Sequence, residues 1–316
     1  MAQPPLSLSE LAAHWPVKRH PDAITARQMR HVTDCLSVIS AVTDPCRLTP
    51  AHLEVFRADL LIHYPPHTAR RMLDLIQALL QFGVSETLLT ANPTRGMAIR
   101  PSPAPAVTTS YPFAPDDLTR IFRHPIFTAH TLPLAPSAGG IAAYWLPLIL
   151  LGTGARPGEV AALRTGDFGY SADTPPIPYW RVVDRVVKTA ASQCARPIHP
   201  ILCRLGLLDY VESLPAGSDL FPLLPPDHMG NRSTRFSAYL HRFLREEVGL
   251  AEPNKVAHSF RLTFAQACRQ AALPADFVCA LLGHPTASWR RGHGKEIPLA
   301  ALQQAVARLT FAGFPL

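Results

Sequence analysis

The chain lacks the paired cysteines that mark a metal or redox site. Its six cysteines (Cys35, Cys46, Cys194, Cys203, Cys268 and Cys279) never form a CxxC, and no His/Cys grouping has zinc-finger spacing. Cys35, Cys268 and Cys279 stand in apolar helical surroundings, where reduced cysteine behaves as a small core residue. A reduced, cytosolic protein with no disulfide framework, no metal and no other cofactor is expected. The N-terminus, MAQPPLSLSELAAHW, has neither the basic head nor the continuous apolar run of a signal peptide. The most apolar stretch, IAAYWLPLILLGTGA, contains Pro147 and breaks at Gly152. That is too short for a membrane span and predicts a buried helix. Charged residues are scarce at 17%, but hydrophobic residues reach 47%, which excludes a disordered chain.

What is abundant is proline, 33 residues in 316. The densest informative run, RPSPAPAVTTSYPFAP over Arg100–Pro115, cannot form a helix and predicts a semi-rigid extended linker. Domains are therefore expected over 1–99 and 116–316, joined by 100–115. Before the linker, DAITARQMRHVTDCLSVISAV repeats apolar residues at helical spacing (Ile24, Met29, Val32, Leu36, Ile39). In TPAHLEVFRADLLIHY, Thr49 is placed to cap a helix that begins at Pro50. HTARRMLDLIQALLQFG predicts a third helix closed by Gly83, and a bundle of about four helices follows. Arg70 and Arg71 fall in its first turn, where they oppose the helix dipole; a phosphate backbone or plain solvation would each account for them. The net charge of +7 and pI near 9.3 are compatible with either a solvated basic face or a polyanion partner.

Beyond the linker helices dominate with one interruption. PIPYWRVVDRVVKTAASQCARPIHP is rich in β-branched and aromatic residues around a small-residue turn at Ala190–Gln193. It predicts an antiparallel hairpin, Trp180–Lys188 against Arg196–His199. The fold class is thus mainly α: an N-terminal helical bundle plus an α+β domain with a small antiparallel sheet.

Three short motifs bear chemistry. In LGTGARPGEVAAL, Arg156 precedes a helix opened by Pro157 and Glu159, so a carboxylate three residues on can brace the guanidinium. In VAHSFRLTF, His258 and Arg261 share one helix face. In ALLGH, Gly283 is placed to end a helix and His284 follows it. Taken singly, each has an ordinary alternative: a structural Arg–Glu pair, exposed polar residues at a helix start, a histidine beside helix carbonyls.

Their order, with Lys188 in the hairpin and a basic helical bundle ahead, resembles the tyrosine recombinase (phage integrase) family. The resemblance spans most of the chain. Arg27–Ala41 and Thr68–Gly83 look like helices of the family's core-binding domain, Asn92–Gly96 like its end, and YPFAPDDLTRIF like the start of the catalytic domain. It implies that Arg156, Lys188, His258, Arg261 and His284 activate a phosphodiester, with Glu159 supporting Arg156. Two guanidinium forks and imidazole donors would stabilise charge on the non-bridging oxygens without a metal. Lysine would protonate the departing 5′-oxygen. Leu262 departs from the pattern, since a second histidine often follows the arginine. The implied partner is double-stranded DNA, held by a two-domain clamp, with self-assembly from dimer to tetramer on DNA through the C-terminal segment. A cytoplasmic, nucleoid-associated location goes with it. Arg27, Arg30, Arg70, Arg71 and Arg196 are the candidate phosphate contacts.

Nine positions after the LGH histidine the family carries the tyrosine that attacks phosphorus. Here that position is His293, followed by Gly294, Pro298 and Leu299 in undisturbed register, and no tyrosine occurs after Tyr239. Imidazole is a competent nucleophile toward phosphorus. Its reactive nitrogen nevertheless lies roughly 2 Å nearer the backbone than a tyrosine oxygen, and a misplacement of about 1 Å can cost on the order of 100-fold. Tyrosine-type strand exchange is therefore expected to be lost or severely weakened. Two alternatives stand beside this: a non-catalytic architectural or regulatory DNA-binding protein derived from a recombinase, and a metal- or water-dependent nuclease built on His258, His284 and His293, which lacks the usual acidic partners.

Overall fold

The computed structural model describes residues 6–21, 23–97, 110–181, 195–224, 226–227, 230–284 and 297–316. They fall into two units, Met1–Val107 and Thr108–Leu316.

The first unit is a bundle of α1 (Leu8–Arg19), α2 (Ala23–Ser40), α3 (Pro50–His63) and α4 (Pro66–Ser85). Its helix starts are written locally. Ser7 Oγ accepts from Glu10 N–H, and the Glu10 carboxylate returns to Ser7 N–H at 2.7 Å. Thr49 caps α3 ahead of Pro50, as expected. Leu53, Phe56 and Leu60 of α3 pack with Val32 and Leu36 of α2 and with Met72, Ile76 and Leu80 of α4. Gly83 does not close α4, which runs on to Ser85. It is buried inside the helix, where a side chain would collide with Leu89, so its role is close packing rather than termination.

In the second unit α5 (Pro115–Phe122) and α6 (Pro125–Thr128) lead to α7 (Ala142–Thr153), all of whose residues are buried and round which the unit is built. This is the apolar stretch expected as a buried helix, with Pro147 inside it. α12 (Ala257–Gln270), which follows α10 (Leu207–Glu212) and α11 (Ser233–Arg242) in the chain, lies against it. Phe260 of α12 is fully buried, its ring 4.7 Å from Phe113 and 6.2 Å from Phe122. Phe113, inside the stretch expected as linker, belongs to this core, and its N–H donates to Thr263 Oγ1 at 2.8 Å. The rest of that stretch as far as residue 109 lies outside the described residues.

The sheet has three antiparallel strands in the order β1 (Phe168–Tyr170), β2 (Pro178–Trp180), β3 (Arg196–Pro197). β2 and β3 pair with Trp180 opposite Arg196, the two residues expected to begin the hairpin's arms; residues 182–194, which would complete it, lie outside the described residues. The sequence pattern did not reveal β1, whose three residues, Phe-Gly-Tyr, are too few to show a period. His199, expected at the strand end, caps α9 (Pro200–Arg204) instead.

The C-terminal segment packs on its own unit. α14 (Leu299–Ala307) buries Leu302 and Val306, and Leu309 and Phe311 follow into the same core. Buried His199 donates from Nε2 to Leu309 O at 3.2 Å. The Phe314 ring lies 4.7 Å from Phe122, and Thr119 Oγ1 donates to Gly313 O at 2.8 Å. No helix among the described residues is long and apolar enough to cross a membrane. Phe260→Ala should lower the stability of this unit by about 3–5 kcal/mol, read as a shift of its denaturant midpoint with the first unit's transition unmoved.

Candidate active site

α7 ends in a left-handed residue, Gly154 (φ 63°), where any side chain would collide with Phe264 and Leu282. The chain then turns into α8 (Pro157–Ala161). Glu159, in its first turn, takes Arg156 N–H on one carboxylate oxygen (3.0 Å) and Arg156 Nη1 on the other (2.6 Å). The carboxylate is 6% exposed and the arginine side chain 45%, so a buried anchor aims a cation at solvent.

α12 begins at Ala257, its first turn closed by Val256 N–H on Ser259 Oγ (3.0 Å). His258 lies in that turn and is exposed, whereas Arg261, three residues on, is 5% exposed. The Arg261 guanidinium donates from Nη1 to Gly154 O (2.6 Å) and from Nη2 to Leu282 O (2.9 Å) and His284 Nε2 (2.7 Å). One side chain thus joins all three motifs.

α13 (Ala275–Leu282) ends with Gly283 in the left-handed region (φ 65°). Gly283 N–H bonds Ala280 O, and His284 N–H bonds Cys279 O at 2.8 Å, the double closure of a glycine-ended helix. His284 is therefore fixed by backbone as well as by Arg261. Because arginine only donates, His284 Nε2 must be the unprotonated nitrogen, which leaves Nδ1–H as the ring's outward donor.

The electrostatics agree with neutral imidazoles among cations. Burial and then Arg261 and Arg156 push the His258 pKa down. Burial, Arg261 and Arg156 do the same to His284, opposed by Glu159. Arg261 itself is drawn down to about 10, chiefly by burial and then by Arg156. The arrangement offers two guanidiniums, an Nδ1–H donor and an exposed histidine around one small region: a receptor for a tetrahedral anion.

Arg156, Glu159, His258, Arg261 and His284 are therefore brought together. Lys188 and His293 lie outside the described residues. Arg30, Arg70 and Arg71 are exposed on the first unit and Arg27 is half-buried; Arg71 Nη2 donates to Gln28 Oε1 (2.6 Å), which ties the start of α4 to α2. Arg196 does not belong with those surface arginines. It is 2% exposed, with its guanidinium 4.9 Å from the Trp180 ring, because β3 enters the core rather than the rim. Tyr239, the last tyrosine, is buried against Phe236 and Phe243, and burial raises its pKa, so it stays protonated inside the core. Among the described residues no three His, Cys, Asp or Glu side chains could share a metal ion.

Several solved integrases share this fold. Residues 82–397 of the Tn1549 transposon integrase, in complex with circular intermediate DNA, match with a TM-score of 0.61 and 12% identity over 94% of this chain and 97% of that one. Residues 75–356 of lambda integrase, a dimer bound to a COC′ core site, match with a TM-score of 0.58 and 16% identity over 92% and 99%. A lambda integrase tetramer bound to a Holliday junction gives 0.59 and 15% over 89% and 78%. No protein-family model and no curated protein matches the sequence.

Two outcomes follow from this geometry. Arg261→Met strands Gly154 O and Leu282 O and should cost about 3 kcal/mol or more, because hydrogen bonds from a charged donor contribute roughly 1.5–3 kcal/mol each; chemical denaturation reads it. His199, His258 and His284 all have pKa values lowered from 6.5 in the folded chain. Below 6.5 the unfolded chain then binds more protons than the folded one, so stability should be full above 6.5 and fall as pH drops through the folded values. Thermal midpoints measured from pH 8 to pH 5 should show that fall, and His199→Gln should flatten it.

Proposed function

We propose that this chain is a DNA-binding protein of the tyrosine recombinase family whose pocket activates a phosphodiester. The observation that supports it most is the convergence of Arg156, His258 and His284 on Arg261, in a fold shared with integrases solved on DNA. Arg156 and Arg261 hold the non-bridging oxygens, and His284 Nδ1–H and His258 add donors as charge builds. Lys188 of the hairpin gives its proton to the departing 5′-oxygen. The Pro-rich stretch 100–115 joins a bundle and a catalytic domain that grip the duplex as a clamp. Arg27, Arg30, Arg70 and Arg71 contact phosphates from the bundle. The protein is monomeric in solution, works in the nucleoid, and assembles into dimers and tetramers on paired DNA sites. For the C-terminal segment to join that assembly, Leu309, Phe311 and Phe314 must leave the core they occupy.

His293 stands in the nucleophile's position, and strand exchange is impaired as a result. If imidazole does attack, a P–N bond forms, the P–O5′ bond breaks, and the 5′-oxygen leaves as a hydroxyl with the Lys188 proton. The sequence retains every charge-stabilising group named above. This favours an impaired recombinase over an architectural DNA-binding protein, which has no need of all of them.

The test is a nicked suicide duplex, its sequence selected from a random library by retention on the protein. Wild type, His293→Tyr and His293→Ala are incubated with it and resolved on denaturing gels. A stable adduct is expected with His293→Tyr and not with wild type. A wild-type adduct that vanishes in His293→Ala and is destroyed by mild acid would make histidine the working nucleophile, and no adduct with any variant would sink the recombinase reading. Binding to the same duplex should weaken linearly in log salt, and Arg70→Ala or Arg71→Ala should each reduce that slope by about 1.

A further inference from the structure

We infer that Arg196 is a positioning residue of this pocket: it supports the Leu282–Gly283–His284 turn from inside the core and so fixes the direction in which His284 presents its donor. Its value to phosphodiester activation rests on the function proposed above; the support of the turn does not.

The case begins with where β3 puts the side chain. Arg196 pairs in register with Trp180, each is 2% exposed, and the guanidinium sits over the indole ring at 4.9 Å. Burying a guanidinium is costly, and stacking on an indole recovers only part of that cost. A large apolar side chain would fill the same space without it. What the arginine adds is a charged fork, and that fork meets the backbone of Gly283: a Cβ built at Gly283 would overlap Arg196 Nη2. Gly283 is thus required twice, for its left-handed φ of 65° and for the bare backbone that admits the guanidinium.

A second observation points to the same turn. Burial chiefly lowers the pKa of Arg261 and of His284, and the charge of Arg196 adds a smaller push in the same direction to each. His284 therefore faces three cations, Arg261, Arg156 and Arg196, with Glu159 the carboxylate that opposes them. Arg261 grips the turn through Leu282 O and His284 Nε2, and Arg196 lies against the glycine between those two residues. With both in place, the ring keeps Nε2 on Arg261 and stays neutral, with Nδ1–H as its donor.

The test reads His284 directly, in full-length protein without DNA. Ring-nitrogen NMR of histidine-labelled protein, assigned through His284→Gln, follows the tautomer and titration in wild type, Arg196→Met and Arg196→Lys. Wild type should show one Nδ1–H tautomer and a titration below 6.5. In folded Arg196→Met the titration should move upward and the ring should exchange between tautomers. Arg196→Lys keeps the charge and loses the fork, so the titration should stay low while tautomer exchange appears; this variant carries the test if Arg196→Met does not fold. A folded variant of either kind whose His284 spectra overlie wild type would overturn the inference. Adding Arg196→Lys to His293→Tyr should slow adduct formation on the suicide duplex about 10- to 100-fold. If His284 responds as expected and the His293→Tyr protein forms no adduct at all, the positioning role stands and the recombinase reading falls.

Discussion

The second unit depends on one guanidinium. Arg261 leaves α12 where two chain segments end, and it bonds to both, at the buried Gly154 O on one and at the buried Leu282 O and His284 Nε2 on the other. Those segments come from residues 154, 282 and 284, more than twenty to more than one hundred positions away along the chain. No hydrophobic contact could fix them with the same angular precision, because apolar packing is non-directional. The glycines at 154 and 283 are the necessary counterpart. Each ends its helix in a conformation that L side chains rarely adopt, and each leaves its backbone bare for a neighbour: Phe264 at one, Arg196 at the other.

Around this tie the design is hierarchical. Glu159 is spent on Arg156 twice, once at the backbone and once at the guanidinium, which makes the exposed cation stiff before any ligand arrives. Paired closures at the end of α13 do the same for His284. Preorganised donors stabilise developing charge without reorganisation at the moment of need. Burial of Arg261 strengthens its interactions and also gives them a cost, visible in its lowered pKa.

What the sequence disclosed followed from locality. Helix starts and ends are set by two to four consecutive residues, so Thr49–Pro50, Arg156-Pro157-x-Glu159 and Gly283 could be read directly, and their order along the chain pointed to the site. What it concealed was tertiary. Arg196 reads as a surface cation because nothing local reports that β3 runs inward; only its register against Trp180 does. Gly83 reads as a terminator because packing against Leu89, not its own dihedral angles, explains it. β1 is three residues long, below the length at which alternation can show. The C-terminal segment offered a helical apolar stripe in sequence, but the stripe alone does not say which surface it covers; His199 and Phe122 do.

The two fixed ends of residues 285–296 have a further consequence. His284 is bolted to α13 and Arg261 on one side, and α14 is sunk in the core from Leu302 on the other. Each anchor is made by groups of its own, backbone and Arg261 at His284 and apolar packing at α14. A substitution at position 293 removes none of those bonds or contacts. Reactivity at that position and the stability of the unit are therefore separate properties, and one can be altered by substitution while the other is held.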